Sequence, residues 1–124
     1  MQDEPTPTEL ITVVADFLRT EIAPEIKGHN AFKLRVGINA LDLVTRQLAL
    51  QGAGDDAETA RLKQLLGKGG SLDELNRELS ARIASGEADL QTPGLAEHLW
   101  QTTLAKLAID QPNYASYKRE VGKS

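Results

Sequence analysis

The chain has 124 residues, enough for one domain with its own hydrophobic core, so its folding requires neither a metal nor a disulfide. Cysteine is absent, which excludes a disulfide framework, a thiolate nucleophile and a cysteine-based zinc site, and is typical of a reducing compartment. The net charge of -4, without a dense basic cluster, argues against a general nucleic-acid-binding protein.

The amino terminus does not have the pattern of a targeting segment. Met1 is followed by Gln2, Asp3 and Glu4 rather than by basic residues that lead into an apolar run. No stretch approaches the ~18 apolar residues that a membrane-spanning helix requires. We therefore expect a cytoplasmic protein with neither a signal peptide nor a membrane partner.

The first helix is predicted over residues 7 to 23. Thr6 is a hydroxyl N-cap, Pro7 takes the first helical position, and Glu9 lies three residues after the cap. Apolar residues then recur at three- and four-residue spacing until Pro24, which removes a backbone donor and ends the pattern.

The second helix is predicted over residues 31 to 51, with apolar side chains on most of its circumference. This distribution is typical of a helix surrounded by neighbours, so we expect it to be the central and most buried helix. Gly52 is expected to end it, and Gly37 favours the close approach of another helix. Its apolar residues are Ala31, Phe32, Leu34, Val36, Ile38, Ala40, Leu41, Leu43, Val44, Leu48, Ala49 and Leu50.

Each remaining helix is predicted from a capping residue before it and a glycine or proline after it. These helices begin at Asp55 or Asp56, at Ser71 and at Thr92-Pro93, and they stop before Gly67, Gly86 and Pro112. Nothing has the alternation typical of a strand. We therefore predict an all-α fold: a single domain over residues 1–124, in which about five helices form one bundle around a buried second helix.

Residue types that carry catalysis or bind metals are sparse. Of the two histidines, His29 lies in a predicted turn, and His98 follows Glu97, whose side chain points about 100° away on the same helix. No serine lies in a nucleophile-elbow motif. We therefore predict no catalytic residue, no metal and no cofactor, and the sequence favours a non-enzymatic role without deciding the matter.

A polar stripe of Arg35, Asn39, Asp42 and Arg46 runs along one narrow arc of the second helix. It is either a solvated seam, with ion pairs contributing ~0.3–0.5 kcal/mol, or a covered site in which these groups form a closed network or bind an anion. Both alternatives stay open. Because apolar residues crowd both sides of the arc, we expect Asp42 to belong to a buried network.

Aromatic side chains supply the other candidates for a contact surface. Trp100 lies on the predicted last long helix, and Tyr114 lies in the tail after it. Each is either a core residue or an anchor for a partner or ligand.

Several motifs along the chain resemble those of a bacterial family of helical domains of unknown function. The resemblance implies no catalytic residues. It implies a context, because such domains are typically encoded beside, or fused to, an aminoglycoside-phosphotransferase-like kinase, near acyl-CoA dehydrogenases. The motifs are Asp3-x-Pro5, Glu9-Leu10, Phe17-Leu18-Arg19-x-Glu21, Arg35-Val36-x-x-Asn39-Ala40-Leu41-Asp42 with Arg46-x-Leu48, Leu75-Asn76, Ala81-Arg82-Ile83 with Gly86, and Leu104-Ala105-x-Leu107-Ala108-x-Asp110-x-Pro112-x-Tyr114.

Two functional hypotheses follow. The leading one is a non-catalytic accessory or interaction domain that binds a protein partner, such as the kinase-like protein that the resemblance implies, or a second copy of itself. The alternative is a small-ligand domain in which Arg35 and Arg46 hold a carboxylate or a phosphate, with Asn39 and Asp42 beside them.

Overall fold

The computed structural model describes residues 5–122. The described residues form five α-helices and no strand, which confirms the predicted all-α fold class. A π-helical segment and a 3-10 turn, Leu18–Ile22 and Ala23–Glu25, follow the first helix. The α-helices are α1 (Pro7–Phe17), α2 (His29–Leu66), α3 (Leu72–Ser85), α4 (Leu95–Asp110) and α5 (Ala115–Val121).

The described residues divide into two compact units. The N-terminal unit extends to Leu50, and the C-terminal unit begins at Gln51, so α2 contributes residues to both. That residues 1–124 act as a single domain stays a prediction.

The start of α1 is as predicted, but its end is not. Thr6 caps the helix by accepting a hydrogen bond from the Glu9 amide at 3.2 Å, with Pro7 in the first turn. After Phe17 the backbone widens into the π-helical segment, in which the Ala23 amide donates to the carbonyl of Leu18. The predicted span of 7 to 23 is therefore helical throughout, but regular only to Phe17.

The second and third predicted helices are one helix of 38 residues, α2. The expectation that Gly52 ends the second helix was wrong. An internal glycine costs a helix about 1 kcal/mol, which a long helix can tolerate, whereas a C-terminal stop usually needs a left-handed residue. The first glycine after Gly52 with such a conformation is Gly67, at φ 68°, and α2 ends just before it.

The burial expected for residues 31–51 was also wrong. Ile38 is the one buried residue in that range, and Phe32, Val36 and Leu48 are 56%, 52% and 52% exposed. A Cβ added at Gly37 would meet no atom of residues 5–122 within 4 Å, so no helix in that part of the chain approaches there. Apolar residues on several faces show which surface can be covered, but they do not require that the same chain covers it.

The larger hydrophobic core lies in the C-terminal unit. α3 begins at a capping box, in which Ser71 and Glu74 each accept from the other's amide, and ends at left-handed Gly86. The apolar side of α3 packs against α2, against Ala88 and against the first residue of α4. The buried core residues are Leu62, Leu66, Leu75, Leu79, Ala88 and Leu95.

Candidate functional site

The predicted polar stripe is partly exposed. Arg35 and Asn39 are exposed, and Asp42 and Arg46 are of intermediate burial. The Asp42 carboxylate accepts from Arg19, whose Nη2 lies 3.0 Å from Oδ1 and 2.7 Å from Oδ2. Sequence reasoning missed this cation, because it comes from the π-helical segment rather than from the stripe.

Arg19 joins two carboxylates on the surface of the N-terminal unit. Its Nη1 donates to Asp16 Oδ1 at 2.9 Å, and the side chains of Arg19 and Asp42 are 45% and 37% exposed. The buried network expected around Asp42 was therefore wrong, since these ion pairs are in contact with solvent. Whether the stripe binds an anion stays a prediction.

The N-terminal unit exposes apolar side chains in two rows. On α1, the face opposite the buried Ala15 carries the first row, and on α2 the side opposite the buried Ile38 carries most of the second, at 100° per residue. Every member of the two rows is more than a third exposed. α1 and α2 therefore carry apolar side chains on their solvent-exposed sides as well as at their buried positions. The α1 row is Leu10, Val13, Val14 and Phe17, and the α2 row is Phe32, Val36, Val44 and Leu48.

Trp100 and Tyr114 are not core residues. Trp100 on α4 is 45% exposed, and Tyr114, which precedes α5, is 52% exposed. Both therefore present aromatic surface to solvent. Neither residue lines the cleft between α2 and the start of α4.

A cleft of about 570 Å³ opens in the C-terminal unit, between α2 and the start of α4. Its volume lies within the range of small-molecule sites. Apolar surface and groups that can donate or accept hydrogen bonds are mixed in its wall. The lining residues are Arg61, Gln64, Leu65, Thr92, Pro93, Gly94, Glu97 and His98.

Arg61 and His98 form the polar centre of this cleft. Arg61 Nε donates to His98 Nδ1 at 3.0 Å, and Arg61 Nη2 donates to the Thr102 hydroxyl at 3.2 Å. His98 is only 2% exposed. Burial first, and then the Arg61 charge, lower the pKa of His98, while Glu58 opposes them. The imidazole is therefore neutral near pH 7, with its proton on Nε2, because Nδ1 accepts.

The N-terminus of α4 lies at the same cleft. Gly94 is its N-cap, with φ 86° and no side-chain hydrogen bond to the first turn. A Cβ at this position would lie 3.2 Å from Leu65 Cδ2, in a conformation that other residues rarely adopt. Glycine therefore allows the start of α4 to approach α2, and first-turn amides have no side-chain cap.

Sequence reasoning set His98 aside because its neighbour Glu97 points elsewhere. The partner of His98 is 37 residues earlier, on another helix. One available signal was the pair His98 and Thr102, polar residues at four-residue spacing on a helix with many apolar residues. Such a pair often faces a polar group across the interface.

The described residues contain neither a metal-binding cluster nor a helix suited to cross a membrane. Within residues 5–122, no group of three or more His, Asp or Glu side chains is placed to hold a metal ion. In that same part of the chain, no helix has both the length and the apolar character needed to cross a membrane.

Comparison with known proteins identifies the family. A family model described as a domain of unknown function (DUF6285) matches residues 24–114, most of the chain. The chain therefore belongs to this family, which confirms the resemblance to a domain family of unknown function. The match includes the stripe and the cleft but not α1. No curated protein and no solved structure matches the chain.

Proposed function

We propose that this member of the DUF6285 family is a non-catalytic accessory domain whose N-terminal unit binds a protein partner. The observation that carries the proposal is the exposure of the α1 row and the α2 row. Val13 and Phe32, one from each row, are 66% and 56% exposed. Half-exposed valine, leucine and phenylalanine side chains at eight positions present several hundred Å² of apolar surface, which on monomers often marks an interaction site.

The energetics favour a covered surface. Burial of apolar area contributes about 25 cal/mol per Å², so covering the two rows would stabilise a complex by several kcal/mol before the cost of association. Both rows lie on regular helices, α1 and α2, which present them as rigid surfaces. Rigid surfaces lose little conformational entropy on binding.

The partner that we propose is a phosphotransferase-like kinase. The support is the resemblance, since domains of this kind are typically encoded beside, or fused to, such a kinase. An interaction domain of that kinase would act in acyl-CoA-related metabolism, and it would need no catalytic residues of its own.

The test is co-expression of the chain with a kinase-like protein encoded beside it, followed by size-exclusion chromatography with light scattering. We expect one peak with the mass of the complex. Val13→Glu and Phe32→Glu should each separate the two proteins, because each places a charge on an exposed apolar row. Leu90→Glu is the matched control, since Leu90 is 71% exposed in the C-terminal unit, and it should leave the complex intact.

Two results would overturn the proposal. One is separate elution of the wild-type proteins. The other is a wild-type homo-oligomer that Val13→Glu dissociates without any kinase binding, which would assign the rows to a second copy of the chain. Helix content and melting temperature of each variant establish that it is folded before binding is interpreted.

A further inference from the structure

We propose that the cleft between α2 and the start of α4 binds a small organic carboxylate, with Arg61 as the residue that binds its anionic group. The stripe on the N-terminal unit has no part in this site. The proposal is also independent of the partner surface, because every lining residue belongs to the C-terminal unit.

The charge of Arg61 favours the binding of an anion in the cleft. Its guanidinium is partly buried and is always protonated. Within residues 51–122, no carboxylate lies at ion-pair distance from it. Its two hydrogen-bond acceptors there, His98 Nδ1 and the Thr102 hydroxyl, are both neutral. A partly buried cation with neutral acceptors is stabilised when an anion binds beside it.

The remaining hydrogen-bond donors of Arg61 have the geometry to bind a carboxylate. His98 takes the Nε hydrogen of Arg61, and Thr102 takes one hydrogen of Nη2. These bonds fix the guanidinium plane and leave Nη1 and the second Nη2 hydrogen for a further acceptor. Nη1 and Nη2 form one edge of the planar guanidinium, and the spacing of these two nitrogens matches that of two carboxylate oxygens. His98 and Thr102 thus act as positioning residues.

The rest of the cleft wall suits a ligand with an apolar body and a single negative charge. Leu65 and Pro93 provide apolar surface for a carbon skeleton. The N-terminus of α4 adds partial positive charge, although the Leu95 amide already donates to the Thr92 carbonyl and no side chain caps the first turn. Glu97 also lines the cleft, and its Oε1 accepts from Gln101 Nε2 at 2.9 Å. Because that carboxylate opposes negative charge, a ligand with one charge should bind better than a doubly charged phosphate monoester.

The test uses three probes that share a phenyl ring and differ in the attached group: benzoate, its neutral near-isostere benzamide, and phenyl phosphate. Each is titrated into the full chain labelled with 15N, with backbone amide and arginine Nε–H signals recorded by NMR. We expect benzoate to shift the Arg61 Nε–H signal and the amides of residues 94–98 saturably. Benzamide should not, and phenyl phosphate should bind more weakly than benzoate.

Variants separate a site from a general charge effect. Arg61→Gln should weaken benzoate binding about tenfold or more, because it removes a charged hydrogen-bond donor pair. Arg77→Gln is the matched control, since the Arg77 side chain is 80% exposed in the same unit, and it should leave binding unchanged. Glu97→Gln should tighten binding of benzoate, and of phenyl phosphate by more.

The outcomes are decisive in either direction. Saturable shifts confined to the cleft, lost in Arg61→Gln and kept in Arg77→Gln, support the site. If Arg61→Gln does not fold, the wild-type shift map and the effect of Glu97→Gln decide. Absence of shifts at millimolar benzoate, shifts scattered over the surface, or equal effects of benzoate and benzamide would overturn the proposal.

Discussion

Arg19 and Asp42 are 23 residues apart, yet one terminal nitrogen of the arginine donates to both carboxylate oxygens, at 3.0 and 2.7 Å. The bond connects the π-helical segment to α2 within the N-terminal unit. Both side chains remain in contact with solvent, at 45% and 37% exposure. This relationship changes the interpretation of the stripe, because its carboxylate is compensated at the surface by an arginine from outside it.

The first prediction is that Asp42→Asn costs little stability. Exposed ion pairs contribute about 0.2–1 kcal/mol, so the free energy of unfolding should fall by no more than about 1 kcal/mol. Urea titration of the wild type and the variant measures the difference. A loss of about 3–5 kcal/mol, the magnitude for breaking a buried pair, would contradict the exposed arrangement.

The elements with local signals were predictable from the sequence, whereas burial was not. Thr6 and Ser71 each use a side chain and an amide three residues apart, so their caps follow from local spacing alone. Burial of residues 31–51 depends on which surfaces lie opposite, and no local signal specifies that. The same apolar pattern is compatible with a buried central helix and with a helix whose exposed apolar face binds a partner.

The second prediction concerns the core of the C-terminal unit. Leu75 is fully buried and packs with the buried leucines of α2 and α3, so Leu75→Ala should destabilise the protein by about 2–5 kcal/mol. Leu90→Ala is the control. Its side chain is 71% exposed, and the change should stay within about 0.5 kcal/mol. Similar urea midpoints for Leu75→Ala and Leu90→Ala would show that Leu75 does not belong to the core.

The third prediction concerns the capping box of α3. Ser71→Ala removes the acceptor for the Glu74 amide and should cost about 1 kcal/mol, whereas Ser80→Ala, at an exposed position inside α3, should cost less. Chemical denaturation of the two variants compares them directly. Equal losses in the free energy of unfolding for Ser71→Ala and Ser80→Ala would contradict the prediction.

The same capping box has a pH dependence. The Ser71 amide, and then the Ser71 hydroxyl, lower the pKa of Glu74 below its ordinary value of 4.5. Its stabilising contribution is therefore present above pH 4.5 and is lost as the pH falls through the lower pKa of the folded state. Glu74→Gln should reduce this acid sensitivity.

The cleft shows why a site is harder to predict than a helix. Arg61 and His98 are 37 residues apart, and neither belongs to a sequence motif. Gly94 has a specific structural role there, since its φ of 86° beside Leu65 is a conformation that residues with a Cβ rarely adopt. The sequence alone does not indicate this role, because Gly94 simply follows the helix start that is predicted at Thr92-Pro93. The contact between Arg61 and His98 depends on the packing of α4 against α2, which no local sequence pattern specifies.

The last prediction is that His98 makes the protein less stable in mild acid. Its pKa in the folded state is below its ordinary value of 6.5, chiefly because the ring is buried and then because Arg61 is adjacent. The other charged groups beside it on the two helices are Glu58, which raises the pKa, and its neighbour Glu97. Between the lowered pKa and 6.5, the unfolded chain binds more protons than the folded one.

The free energy of unfolding should therefore be fully retained above pH 6.5 and should decrease as the pH falls below it, levelling off under the folded-state pKa. The slope from one proton is at most about 1.4 kcal/mol per pH unit. Urea titrations across this range compare the wild type with His98→Gln, in which the decrease should be smaller. The control is His29→Gln, which alters an exposed residue at the start of α2. Equal slopes in all three proteins would show that His98 is not held in its neutral form, and the positioning of Arg61 by a neutral imidazole would then be wrong.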